Sequence, residues 1–253
     1  MKIIKKYYEK FKIMNPENTE LKFLIVFVLL SIMLFRGISD FRFSWDIVIS
    51  LCIFVISMTL HEVAHGYIAY KFGDDTAKEE GRITLNPLKH LDLAGMLLPI
   101  LLILTGFPFV IGWAKPVPVN FYKLKPERLG LFCVAIAGIV VNLIIAAVSL
   151  TVLRYGIPFF GENDIIITIF LYMYMINLAL AFFNLIPVTP LDGGRIVYSM
   201  AGEKVRRFYN QIEKYGMVVV FLIVYSGVFR QFFIWMFTFF IKLTNMGIPV
   251  EIM

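Results

Sequence analysis

IVISLCIFVISMTLHEVAHGYIAYKF, residues 47–72, runs for 26 residues without a proline. As a helix rising 1.5 Å per residue it is about 39 Å long, more than the ~30 Å hydrocarbon core of a bilayer. His61, Glu62 and His65 nevertheless stand inside it. A charged side chain at mid-bilayer costs about 2.5–3.5 kcal/mol even on insertion scales, so polar groups at that depth need a task. Positions i and i+4 of a helix share a face about 6 Å apart, which lets both imidazoles of His61-Glu62-Val63-Ala64-His65 address one metal ion. Glu62, beside the first of them, is placed to take a proton from water at that metal. The chain has only 3 histidines, and two of them are here.

The surrounding sequence is of the same apolar character. Of 253 residues, 59% are hydrophobic and 17% charged, with a mean hydropathy of +0.79. Soluble domains carry nearer a quarter charged residues, which excludes an ordinary soluble enzyme. The formal net charge of +6 comes from basic residues in short loops and tails. There it sets membrane orientation rather than attracting nucleic acid. Cys52 and Cys133 each lie within an apolar run, far from any CxxC, and read as small core hydrophobes. No cleavable signal is expected, because a polar stretch with Glu9, Glu17 and Glu20 precedes the first apolar run.

Spans are predicted at Leu21–Ile38, Ile47–Phe72, Leu129–Leu153 and Ile165–Ile186, with another from Tyr215 to near Val228 and an interfacial aromatic segment after Arg230. Leu93–Gly112 is apolar but broken by Pro99, Gly106 and Pro108, and is expected to enter and leave on one side. The fold expected is an all-α polytopic membrane protein of about five to six transmembrane helices, with a re-entrant segment and short membrane-associated β-strand elements. It forms one domain, residues 1–253. The catalytic core covers about 44–200, preceded by a tail and first span at 1–43 and followed by a C-terminal span and aromatic segment at 201–253. Lys2, Lys5, Lys6, Lys10, Lys12 and Lys22 place the N-terminus in the cytoplasm by the positive-inside rule.

Zinc needs a third protein ligand and an open position. His90, Asp92 and Asp192 are the candidates from the residues themselves, although an Asp before Gly193-Gly194 also suits a turn or helix cap. Asn142, a carboxamide within an apolar run, must find a partner. It could donate to an oxyanion, the catalytic role expected of it beside Glu62, or bond a neighbouring helix. Arg82–Leu85 and Pro116–Asn120 look extended. Ile83, Leu85, Val117 and Val119 on them could border an unwound substrate at a strand edge, or the segments could be plain linkers.

HEVAHG at 61–66, GRITLNPLKH at 81–90, GWAKPVPVN at 112–120, AGIVVNL at 137–143 and NLIPVTPLDGGR at 184–195 occur in this order. Together they resemble the site-2 protease family of intramembrane zinc metalloproteases, and most of all its compact bacterial and archaeal branch with the GWAKPVPVN segment. The resemblance covers roughly Ser57 to Ile196. It implies that His61, His65 and Asp192 hold one zinc ion, that Glu62 is the catalytic acid/base and that Asn142 sits near the metal. It also implies that Asn184 and Pro187 belong to a substrate-facing loop. Where the family often has Gly-Pro, this chain has Gly138-Ile139.

The function expected is hydrolysis of peptide bonds within or beside the transmembrane segment of a membrane-protein substrate. The lipid bilayer is the surroundings, no nucleic acid takes part, and the oligomeric state is left open. The protein is expected in a prokaryotic cell membrane, with its site toward the cytoplasm. The alternative is an inactive scaffold or transporter that keeps the metal-binding fold. A di-iron oxygenase is excluded because 3 histidines cannot supply its ligands.

Overall fold

The structure, a computed structural model, describes residues 44–92, 115–156 and 164–227, together with 231, 234, 235 and 238. One compact unit comprises Ser44–Leu91 and Lys115–Met253, and the description concerns that unit. The span expected at Leu21–Ile38, the re-entrant segment at Leu93–Gly112 and most of the aromatic segment after Arg230 lie outside the described residues.

Three long helices frame the unit: α1 (Trp45–Lys71), α3 (Glu127–Tyr155) and α4 (Asp164–Asn184). A short helix, α2 (Thr76–Glu79), follows α1. After α4 come α5 (Asp192–Met200), α6 (Glu203–Ile212) and α7 (Gly216–Tyr225). Trp45–Lys71, Glu127–Tyr155 and Ile165–Asn184 are each long and apolar enough to cross a membrane. Their ends lie within about two residues of those read from hydropathy. Ser44 starts α1, its hydroxyl oxygen accepting from the Asp46 N–H at 3.1 Å. Pro126 caps α3, where the missing N–H is harmless.

The helices bury small and polar residues and leave large apolar ones outward, as packing between helices in lipid demands. α3 turns Gly130, Ala135, Gly138, Ala146 and Ser149 inward, while Val140, Leu143, Ile144 and Val148 stay exposed. α1 buries Ser57, His61, Glu62 and His65. It runs antiparallel to α3: Phe72 meets Gly130, His65 meets Val134, and His61 meets Gly138 and Asn142. α4 joins α3 through Ala146, Leu153, Tyr174 and Leu178. It joins α1 through Asn177, whose carboxamide donates to Ser57 Oγ at 2.8 Å, one turn before His61.

No strand occurs among the described residues, which corrects the expectation of β-strand elements at Arg82–Leu85 and Pro116–Asn120. Residues 115–120 have no regular structure, and side chains take up the polar groups a ladder would use. Pro116 and Pro118 have no N–H to give. The Val117 N–H donates to Glu62 Oε2 (2.8 Å), and the Asn120 N–H to Asp74 Oδ2 (2.6 Å). The carbonyls of Lys115 and Pro116 accept from the Arg82 guanidinium.

Candidate metal centre

Two ring nitrogens and one carboxylate oxygen converge inside the helical unit. His61 Nε2 and His65 Nε2 are 3.0 Å apart, and each is 3.2 Å from Asp192 Oδ2. The imidazoles meet edge to face, their planes at 84°. Helical spacing on α1 brings the two rings together, but Asp192 arrives from far along the chain. α4 ends at Asn184, the chain turns through residues 185–191, and Asp192 opens α5.

Glycines make that turn tight enough. A Cβ on Gly193 would lie 2.5 Å from the Ile186 carbonyl oxygen, and one on Gly194 2.5 Å from the Val188 carbonyl carbon. α6 and α7 brace the turn from outside. The Tyr209 hydroxyl donates to the Pro187 carbonyl at 2.8 Å, and Gly216 packs directly on the Thr189 carbonyl.

The donor set fits a tetrahedral metal ion. Ligand bonds of about 2.0–2.2 Å put tetrahedral ligand atoms roughly 3.3–3.5 Å apart, close to the observed triangle. Asp192 Oδ2 is buried without a hydrogen-bond donor. His65 Nδ1 lies 2.7 Å from the Val134 carbonyl, the geometry of an N–H donor. The proton on Nδ1 leaves the lone pair of Nε2 facing the triangle. Lone pairs that face one another are reconciled by a cation between them.

Glu62 is buried beside this triangle, with Oε2 taken by the Val117 N–H. Gly66, one turn along α1, leaves the space that Val117 and Ile83 fill, since a Cβ there would meet Val117 Cγ1 at 2.9 Å and Ile83 Cγ1 at 3.4 Å. Val119 packs with Phe72 and Phe121 on the cluster around Leu124. Leu85, 67% exposed, faces outward. The Asn184 carboxamide turns back to the Leu180 carbonyl of its own helix (3.0 Å). His90 is not in the metal group; it is 1% exposed, with Nε2 2.9 Å from the Thr84 carbonyl.

Two contacts at the centre have no counterpart in the sequence reading. A Cβ on Gly138 would stand 2.5–2.6 Å from three atoms of the His61 ring, so the absent side chain is what admits the imidazole. The Val117 N–H on Glu62 is the other. Its sequence signal is faint: between Pro116 and Pro118, residue 117 carries the only backbone donor.

Comparison with known proteins puts these residues in context. The model of peptidase family M50 matches residues 157–227, the part of the chain that carries Asp192. "Putative zinc metalloprotease YwhC" of Bacillus subtilis is 42% identical over 186 residues, spanning 72% of this chain and 81% of that protein. "Putative zinc metalloprotease Rip2" of Mycolicibacterium smegmatis is 27% identical over 199 residues, 74% of this chain and 70% of its own. "Zinc metalloprotease MJ0392" of Methanocaldococcus jannaschii is 28% identical over 186 residues, 74% of this chain and 42% of its own. No solved structure matches the chain significantly. With that degree of identity to YwhC over most of both chains, the protein belongs to peptidase family M50, the site-2 protease family.

Proposed function

We propose that this protein is an HExxH-type zinc endopeptidase that cuts membrane-protein substrates within or next to a transmembrane segment. The observation that carries the reading is the triangle of His61, His65 and Asp192 beside the Glu62 carboxylate, with His61, Glu62 and His65 on α1, a helix long and apolar enough to span a bilayer.

His61 Nε2, His65 Nε2 and Asp192 Oδ2 would hold one zinc ion. When bound, zinc supplies the Lewis acidity that makes water nucleophilic near pH 7 and polarises the scissile carbonyl. Glu62 acts as general base and then general acid. Its Oε2 is anchored by the Val117 N–H, so Oε1 is the atom that takes a proton from the attacking water and returns it to the leaving amine. Burial of Glu62 keeps bulk water from competing for that proton.

A transmembrane substrate helix has its carbonyls bonded internally and must unwind before one can reach the site. Ile83, Leu85, Val117 and Val119 on the neighbouring irregular segments, with Asn184 and Pro187 on the turn before Asp192, form the proposed border of the substrate path. Residues 1–253 act as one protease domain in this reading, with the catalytic core at about 44–200. The site lies toward the cytoplasm of a prokaryotic cell membrane. His61 stands about 21 Å along α1 from Ile47 at 1.5 Å per residue, near the end that leads to Lys71, Lys78, Lys115 and Lys123.

The test uses Glu62→Gln expressed in membranes. Metal analysis is expected to give one zinc per chain, and single-span membrane proteins are expected to accumulate intact with the variant and to be cut by the wild type. A variant that binds zinc and still cleaves would remove Glu62 from the reaction. A wild-type protein that binds zinc and cuts none of them would favour an inactive scaffold.

A further inference from the structure

The back of the His61 ring is as closely held as its front. Asn142 is 0% exposed, and its Nδ2 lies 3.1 Å from His61 Nδ1, the ring nitrogen turned away from His65 and Asp192. Its Oδ1 is buried without a partner. Val134, Gly138 and Asn142 follow one another at i, i+4 and i+8 on α3, against His65 and His61 on the antiparallel α1. On this face the Val134 carbonyl takes the Nδ1 position of His65, Gly138 leaves room for the His61 ring, and Asn142 meets Nδ1 of His61.

The tautomer of His61 decides what Asn142 does. With an amide N–H donating to Nδ1, the ring proton would sit on Nε2 and point into the triangle, opposing a cation there. With Nε2 as a ligand, Nδ1 carries the proton and needs an acceptor. The N and O of a carboxamide are nearly isosteric, so their assignment follows from the hydrogen-bond network around them. Turning the amide by 180° places Oδ1 where Nδ2 stands, at the same separation from Nδ1. His65 already has this arrangement, with the Val134 carbonyl as acceptor.

We propose that Asn142 is a positioning residue: its carboxamide oxygen accepts the His61 Nδ1–H and fixes the ring in the tautomer that presents Nε2 to the metal. Asn142 contacts the ring on the side opposite the triangle, out of reach of an oxyanion formed there. It is therefore not the oxyanion donor that its place in an apolar helix suggested. α3 thus supplies the outer partner of both histidines, a backbone carbonyl for His65 and a side-chain one for His61. The inference rests on the zinc reading of the site. Losing such an outer partner typically lowers metal affinity 10- to 100-fold.

The experiment measures zinc affinity by chelator competition on the full chain in detergent, in a Glu62→Gln background where no turnover intervenes. Asn142→Ala is expected to bind zinc about 10- to 100-fold more weakly. Asn142→Asp keeps an acceptor and no donor, and is expected to bind at least as tightly as the parent. With only 3 histidines in the chain, His90→Gln isolates the two site rings, and 15N-histidine spectra of the zinc-loaded protein are expected to show both His61 and His65 protonated at Nδ1. Equal zinc affinity in all three proteins, or His61 protonated at Nε2, would overturn the proposal. Weakening by Asn142→Asp as severe as by Asn142→Ala would reduce Asn142 to a packing role and overturn it equally. If the parent takes up no zinc at all, the metal reading itself has failed, an outcome distinct from these.

Discussion

Gly138 shows how little of the proposed metal site its three candidate ligands describe. The absence of one methyl group on α3 determines whether the His61 ring can stand where it does. Gly138→Ala is expected to push the ring out of line, lowering zinc affinity at least tenfold and destabilising the fold by roughly 1–3 kcal/mol, as overpacking does. Gly202→Ala is the control, because a Cβ there meets nothing within 4 Å. Chelator competition and thermal unfolding on both variants check this, and Gly138→Ala with the zinc affinity of Gly202→Ala would refute it. At this scale His61, Glu62 and His65 were legible because helical periodicity alone sets them on one side of α1. Asp192 was one of three candidates by chemistry, favoured by the prolines and glycines around it, and the resemblance to a family made it the ligand. The Val117 N–H was hidden because a backbone donor leaves no mark on residue identity. His90, one of the three candidates for the third ligand, is not in the group with His61 and His65. It bonds locally, inside the protein, where Lys115 N–H also donates to its carbonyl.

Among the elements, the turn at 185–191 depends most on its neighbours. It must hold Asp192 against α1, yet most of its own backbone is irregular. Tyr209, reaching from α6 to the Pro187 carbonyl, braces it from outside. Tyr209→Phe removes that bond while keeping the ring, and is expected to cost about 0.5–1.5 kcal/mol of stability. Zinc affinity should fall less than in Gly138→Ala, because the ligands keep their own packing. Unfolding in detergent that is unchanged from wild type would show that the brace carries no load. The long helices were legible from apolar length alone, and their ends fell close to expectation. The irregular course of the segments expected as strands was not legible, because proline and valine patterning specifies extended backbone without saying what its polar groups will bond. Here they bond Arg82, Glu62 and Asp74.

For the whole molecule, charge and helix direction together make a topological prediction. Lys123 and Arg128 flank one end of α3, and Tyr155 closes the other, about 43 Å away for 29 residues at 1.5 Å each. The positive-inside trend sets the Lys123 end in the cytoplasm. On a Cys52→Ala, Cys133→Ala background, an impermeant thiol reagent added to intact cells is expected to label Tyr155→Cys and to spare Lys123→Cys. The reverse pattern would invert the orientation and put the metal centre on the outer side. Composition made the membrane class legible from the outset. The register of α1 against α3 was not legible, because it depends on which small residue faces which ring, and several glycines and alanines on α3 offer themselves equally.

The separation of the ligands along the chain has a consequence for how the protein is made. His65 and Asp192 are 127 residues apart (192 − 65). At synthesis rates of about 5–20 residues per second, roughly 6–25 s pass between the emergence of the histidine pair and that of the aspartate. For roughly the first half of that interval, until residue 134 is made, α1 carries buried-type polar groups, Ser57, His61, Glu62 and His65, without Val134, Asn142 or Asn177 to receive them. These groups are expected to stay hydrated or lined by protein until α3 and α4 follow. The triangle of His61, His65 and Asp192 cannot assemble until the turn after α4 has been synthesised.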